Sequence, residues 1–401
     1  MDVRQVKIDT VPLILDLHWE ADNVVFLLGP PGIGKSDIVR LFARKKAKEL
    51  GRKYVEWFDI VGTEKEKDLL EHPEKYFLLV DIKLYEYEPQ DIKGIMYIDE
   101  KDQKTVVIPW DWMKYFMHPS AAGVLFLDEL NMANPDTLKV AFQLVYQKVI
   151  ANRRIRGKIL IVAAGNPAEY NYLVVDLPEP LIDRMGIYRV YTSYEAWLPW
   201  ATKNQIHPLI IKFLTIYPQF LYYDKGRDIN KNIRISTPRS WAKLSKLLYS
   251  LEKRKLSKNK LLNAIEVVAQ GYLHPEIYGK FLGFVRVYLT GNLKAYDESY
   301  IRNPQKLLEL KGDLESLFLF VSYVASKYVN KEIDSETYKQ ILNILSNIYK
   351  EIAVAAVIET IEKLKSTYKD EKLREEIGKL VDMLRYDFPE IYDLIIKIVS
   401  D

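Results

Sequence analysis

The sequence predicts an α/β fold with a parallel sheet at its N-terminal end, followed by an all-α region. Three observations predict it. Through about residue 192, short apolar runs alternate with segments of helical periodicity, as strands covered on both faces require. A glycine-rich stretch, Gly29-Pro30-Pro31-Gly32-Ile33-Gly34-Lys35-Ser36, joins the first of these runs to a helical pattern. From about residue 193 the strand signal fades, and apolar residues recur at three-to-four spacing to residue 401.

The runs Val24–Leu28, Phe77–Leu84, Val124–Leu127, Ile159–Ala163 and Ile187–Tyr191 are the expected strands. Helices are expected over 35–50 and 135–147, the second capped by Asn134 or Asp136 with Pro135 in its first turn. Two hairpins interrupt the alternation. One pairs Ile95–Ile98 with Val106–Ile108, and the other turns near Asn152 between Val149-Ile150 and Arg154–Arg156. Further on, helices are expected over 204–221, 238–254, 258–271 and 275–288. Ser236 or Thr237 ahead of Pro238 marks a helix start, and Pro218 and Gly226 mark a loop. Residues 304–401 continue as helices, with Ile341, Ile344, Ile348 and Ile352 on one stripe and Ile377, Leu380 and Leu384 on another. A break near Gly291-Asn292 suggests a boundary.

Composition narrows the chemistry. A chain of 401 residues is long enough for two or three domains, each with its own core. The net charge of +3 points to no bulk attraction for nucleic acid or for acidic partners. With no cysteine, disulfides, thiolate metal sites and cysteine nucleophiles are excluded. The five histidines are scattered without metal-ligand spacing. The N-terminal residues lack the pattern of a signal peptide, and the apolar stretches are too short to cross a bilayer, so a cytoplasmic location is expected.

The stretch from Gly29 to Ser36 fits G-x-x-x-x-G-K-[ST], set between strand and helix. Glycines let successive backbone N–H groups converge on a polyphosphate, and the helix N-terminus adds partial positive charge. Gly29, Pro30, Pro31, Gly32, Ile33 and Gly34 would form the cradle, Lys35 would reach the β- and γ-phosphates, and the Ser36 hydroxyl would ligate Mg²⁺. Val124-Leu125-Phe126-Leu127-Asp128-Glu129 ends an apolar strand in two carboxylates. Asp128 would hold the Mg²⁺ and Glu129 would polarise the attacking water. One strand later, Ile161–Ala164 leads to Gly165-Asn166-Pro167, placing Asn166 where a side chain aimed at the γ-phosphate belongs. Arg184, in a segment read as helical, would be a solvated helix residue or a partner of Asp183. Arg239 would simply be exposed at an expected helix start, or, since the dipole disfavours a cation there, be a residue whose partner is an anion elsewhere.

In this order the motifs resemble those of AAA+ ATPases, and within them the MoxR-like family. Glu88–Gly94 looks like the segment that leads into that family's second helix. Gly123–Asn131 is similar to its extended Walker B motif, and Ala164–Pro167 to its sensor 1. Leu177–Arg184 resembles its arginine-finger helix and Ser236–Arg239 its sensor 2; Met185 follows Arg184 where a Phe is common. The likeness spans roughly residues 24–240. It implies that Asn166 orients water, that Arg184 reaches the ATP of a neighbouring subunit, and that Arg239 reports nucleotide state. It also implies a self-assembled ring, usually a hexamer. The implied organisation is an AAA+ P-loop NTPase core over 1–192 with a hairpin insert near 95–108, a lid over 193–289 and a helical region of no assigned role over 290–401. The insert would either face a central pore or stabilise the surface.

Three functions are open at this point. One is a Mg²⁺-ATP-dependent chaperone or remodelling factor, which the resemblance would pair with a von Willebrand factor A domain protein. Another is a nucleic-acid motor or restriction-type translocase, for which Asn152–Arg156 would supply phosphate contacts unless those arginines pair with acidic residues across a subunit interface. The third is a nucleotide-gated scaffold. ATP and GTP are not distinguished, because the loop reads phosphates rather than the base.

Overall fold

The structure, a computed structural model, describes residues 5–99, 101, 104–170, 174–224, 234–290, 298–368 and 370–400. The chain forms two compact units, Met1–Thr192 and Ser193–Asp401.

The first unit is built on seven strands: β1 (Gln5–Lys7), β2 (Val24–Leu28), β3 (Lys53–Glu56), β4 (Tyr76–Lys83), β7 (Ala122–Asp128), β10 (Lys158–Gly165) and β11 (Met185–Tyr191). Every pairing is parallel, in the order β1-β11-β2-β10-β7-β4-β3. This is the α/β P-loop fold that the alternating pattern predicted. The central strands β2, β7 and β10 are almost wholly buried, which is why they read as unbroken apolar runs. The strand expected at Phe77–Leu84 lies at Tyr76–Lys83, and the edge strands β1 and β3 were not anticipated. The longer helices of this unit are α1 (Val11–Ala21), α2 (Lys35–Glu49) and α3 (Pro135–Gln147), accompanied by shorter ones such as Glu64–Glu71 and Asp111–Met117. Asn134 caps α3, its side chain accepting from the Thr137 N–H at 2.8 Å.

Two small ribbons stand outside the sheet. In the first, β5 (Ile95–Asp99) pairs with β6 (Lys104–Ile108), with Ile95 opposite Ile108. In the second, β8 (Val149–Ile150) pairs with β9 (Arg153–Arg154). Ala151 and Asn152 turn this ribbon with φ of 48° and 59°, the positive pair that a two-residue hairpin turn demands.

The second unit is helical: α4 (Tyr194–Lys203), α5 (Pro208–Ile216), α6 (Pro238–Glu252), α7 (Lys258–Gln270), α8 (Pro275–Thr290), α9 (Leu314–Val329), α10 (Ser335–Ile348), α11 (Lys350–Thr367), α12 (Asp370–Asp387) and α13 (Pro389–Ser400). The helix expected over 204–221 starts only at Pro208 and ends at Ile216, and α4 precedes it despite carrying Pro199 inside. One apolar core runs from Tyr194 to Ile395. Phe213, Trp241 and Phe281 meet within it, with ring centroids 5.2–5.6 Å apart. The loop marked at Gly226 and the break near Gly291-Asn292 lie outside the described residues. Among the described residues, no helix is long and apolar enough to cross a membrane.

Candidate functional site

The strand register brings three motifs to one edge of the sheet. β10 lies between β2 and β7, pairing Gly165 with Leu28 and Ala163 with Leu127. The loop after β2, the carboxylates after β7 and the asparagine after β10 therefore leave the sheet side by side.

The loop is held by close approaches. A Cβ on Gly29 would stand 2.5 Å from the Val190 carbonyl oxygen, so only glycine fits there. Gly34 has φ of 105° and serves as the N-cap of α2, a conformation that costs glycine little. Ile33 is buried and anchors the loop, while Pro30 and Pro31 are half-buried. Lys35, itself buried, donates to the Gly29 carbonyl at 2.6 Å, to the Pro30 carbonyl at 3.0 Å and to Asn166 Oδ1 at 3.0 Å. Ser36 donates to Asp128 Oδ2 at 2.9 Å. The structure thus gathers Gly29–Ser36, Asp128 and Asn166 in one place.

Glu129 follows in the left-handed region, φ 53°, and its N–H donates to Asp128 Oδ1 at 3.0 Å. A glutamate in that region is strained, and such strain persists where the surroundings enforce it. Asn131, which the sequence analysis left without a role, is buried and pairs with Asn166 in both directions. Its Nδ2 donates to the Asn166 carbonyl at 2.8 Å, and its Oδ1 accepts the Asn166 N–H at 3.3 Å. In the sequence, its one mark is a polar side chain between Leu130 and Met132 directly after β7.

Mg²⁺ is small, prefers six oxygens and keeps several waters. Ser36 and Asp128 supply a hydroxyl and a carboxylate already within hydrogen-bonding distance of each other, which fits such an ion. Among the described residues, no group of three or more His, Asp or Glu could hold a metal by itself. The remaining oxygens would have to come from phosphate and water.

Beside this pair, a cavity of about 290 Å³ is lined by Arg40, Glu56, Trp57, Asp81, Lys83 and Tyr87, among others. Arg40 pairs with Asp81 and, at 3.2 Å, with Glu56. Burial pushes the Asp81 carboxyl up to about 6; Arg40 opposes this, and the Asp128 and Glu56 charges add to it.

The two other arginines lie elsewhere. The helix expected around Arg184 covers only Glu179–Ile182, so Arg184 falls just before β11. Met185 pairs with Val24, which places Arg184 at the opposite edge of the sheet from the glycine loop. Five residues of strand separate the two edges, about 16 Å at roughly 3.3 Å per residue. The Arg184 guanidinium lies 4.1 Å from the centre of the Tyr146 ring and 5.7 Å from that of Phe142, both on α3. It donates to the Pro180 carbonyl at 2.8 Å and lies 3.6 Å from Asp183. Arg239 belongs to the second unit, exposed in the first turn of α6, which Thr237 caps by accepting the Ser240 N–H at 3.1 Å.

No protein-family model matches the chain, and no curated protein matches it. Among solved structures it is similar to the RuvB Holliday junction branch migration motor of Thermotoga maritima, at 16% identity over 66% of this chain and 70% of that one, with a TM-score of 0.32. It is also similar to the Aeropyrum pernix ORC2 protein, at 13% identity over 66% and 69% with a TM-score of 0.36. A third is C. elegans PCH-2, at 14% identity over 65% and 67% with a TM-score of 0.28. At these scores the likenesses add nothing to what the sheet order and the loop establish, namely a P-loop α/β unit joined to a helical one.

Proposed function

We propose that this chain is a Mg²⁺-dependent AAA+ ATPase that works as a ring, as a MoxR-like chaperone or protein-remodelling factor. The observation that carries the reading is the joint placement of Lys35, Ser36, Asp128 and Asn166 at one sheet edge with Arg184 at the other. In this reading the Gly29–Ser36 backbone and Lys35 hold the phosphates of ATP, and Ser36 and Asp128 hold Mg²⁺. The ion, when bound, neutralises charge on the phosphate oxygens. Glu129 takes the proton of the attacking water, and Asn166, fixed by Lys35 and Asn131, keeps that water in line.

An arginine some 16 Å from its own cradle serves catalysis only through another copy, so Arg184 acts in trans and the working form is an oligomer. Hexamers are the usual closed form of such head-to-tail contacts in this family, and heterologous contacts close into rings. Residues 193–289 then act as the lid, with Arg239 as sensor 2, and 290–401 carry a private interaction. The remodelled substrate is a protein, with a von Willebrand factor A domain partner as the first candidate.

The test is ATP turnover and sizing in ATP for wild type beside Arg184→Ala, with and without DNA. Turnover in wild type, with binding but no turnover in the variant, supports the reading. Two monomers without turnover overturn it. The second reading, a nucleic-acid motor, is favoured by Arg153 and Arg154, both exposed and without an ion pair among the described residues. Stimulation of turnover by DNA would put it first. Turnover that stays slow with every partner would favour a nucleotide-gated scaffold.

A further inference from the structure

The cleft that contains Arg184 holds a second arginine that no motif accounts for. It has a volume of about 380 Å³ and is lined by Arg184, Arg154, Lys148, Tyr146, Asp22 and Asn23, among others. It opens at the edge where β2 begins, because Asp22 and Asn23 lead directly into Val24. Arg154 reaches it because the tight turn at Ala151-Asn152 folds β9 back along β8 at the end of α3.

The charges in this cleft do not cancel. Asp22 is taken by Lys148 at 2.5 Å, with Lys158 at 3.9 Å. Arg184 has Asp183 at 3.6 Å, but that carboxylate is 83% exposed and screened by water. Arg154 has no acidic partner among the described residues. Two guanidinium groups, Arg184 part-buried and Arg154 exposed, therefore line one concave space with one neutralised carboxylate. Forked donors of this kind match phosphate oxygens, and a concave wall concentrates their field.

We propose that Arg154 is a second trans-acting cation, presented beside Arg184 to the phosphates of the nucleotide bound by another copy of this chain. The inference rests on the ring reading above and extends it to a residue outside the recognised motifs. Arg184, stacked on Tyr146 and only 31% exposed, presents a fixed fork that suits a single terminal phosphate, whereas duplex binding neutralises several phosphates at once. Arg153, on the same ribbon, does not line the cleft and serves as the control.

The experiment is subunit mixing with the full-length protein. Arg154→Ala, Arg154→Lys, Arg153→Ala and Arg184→Ala are assayed for ATP turnover and nucleotide binding, alone and mixed one-to-one with Glu129→Gln. Glu129→Gln keeps both arginines but cannot activate water. Losing one charge-assisted contact in the transition state should lower kcat of Arg154→Ala by about 10- to 100-fold. Nucleotide affinity should stay within about twofold, Arg154→Lys should fall between the two, and Arg153→Ala should match wild type. Mixing should restore turnover, because the intact cradle of Arg154→Ala then meets the intact arginines of Glu129→Gln.

If mixing restores Arg184→Ala but not Arg154→Ala, the role of Arg154 is refuted and the ring reading stands. If it restores neither, the ring reading fails and this inference with it. Unchanged turnover in Arg154→Ala, with loss of salt-dependent binding to a DNA oligonucleotide, overturns the proposal in favour of a nucleic-acid surface.

Discussion

Replacing Lys212 by methionine would strip a buried carboxylate of its buried partner in the core of the helical unit, and the structure sets the size of the effect. The Lys212 ammonium on α5 forms an ion pair with Glu359 on α11 at 2.5 Å and donates to the Tyr288 hydroxyl on α8 at 3.1 Å and to Ser322 on α9 at 3.1 Å. The two charged side chains are 9% and 8% exposed. Burial alone would lower the lysine's pKa, but Glu359 and Tyr288 hold it above its ordinary value. Without the ammonium, the ion pair left to Glu359 among the described residues is with Lys363, at 3.6 Å and 33% exposed. Breaking a buried pair on one side costs about 3–5 kcal/mol, whereas replacing both partners by apolar groups of similar volume is near neutral or stabilising. Calorimetry of the full-length protein should therefore show one transition lowered by about 10 °C in Lys212→Met, at roughly 2–4 °C per kcal/mol for a unit of this size. Lys212→Met/Glu359→Leu should bring that transition back to within about 1 kcal/mol of wild type. A single variant that costs less than about 1 kcal/mol, or a double variant no better than the single, would refute the pairing.

Three further outcomes are expected. Asn131→Ala leaves the buried N–H and carbonyl of Asn166 without partners, at about 1–3 kcal/mol each; stability and turnover should both fall, read by urea unfolding and an ATPase assay. Tyr146→Ala removes the ring beneath Arg184, worth about 1–2 kcal/mol as a cation–π contact, and should lower kcat by about 5- to 30-fold with nucleotide binding intact. Tyr146→Phe keeps the ring and should behave as wild type. Asp81 gives the third outcome, a dependence on pH. With its pKa raised to about 6 by burial against roughly 4 when unfolded, the native form holds the extra proton between those values. Stability should therefore fall as pH rises from about 4 to 6, by up to about 3 kcal/mol, and Asp81→Asn should flatten that slope in urea titrations.

The parts of this fold that were legible in the sequence are those whose physics is local. A strand buried on both faces must be apolar throughout, so β2, β7 and β10 announce themselves. A loop that wraps phosphate must place glycines where a side chain would collide, as Gly29 does against Val190. The edge strands hid because they are short, need only one neighbour and carry polar residues: Gln5-Val6-Lys7 and Lys53-Tyr54-Val55-Glu56 read as loop. The helix α4 hid behind Pro199, a breaker overridden by the burial of Trp197, Leu198 and Ala201.

The site divides in the same way. Lys35, Ser36, Asp128 and Asn166 stand in a recognisable order, so their meeting was expected. The groups that fix them were not. Asn131 meets Asn166 across 35 positions, and Arg40 meets Asp81 across 41. Tyr146 reaches Arg184 only because α3 runs from its cap beside Asn131 to the far edge of the sheet, about 20 Å at roughly 1.5 Å per residue. These contacts are made by the order of the strands, and no spacing in the chain encodes them. That same helix gives the two edges a mechanical connection. Its first turn follows Asp128 and Glu129 at one end of the strands, and its last turn carries Tyr146, on which Arg184 rests at the other. If the proposed ring reading holds, a shift of Asp128 and Glu129 on nucleotide binding would be passed along α3 to Arg184, and Tyr146→Ala would be the first substitution to break coupling between neighbouring sites.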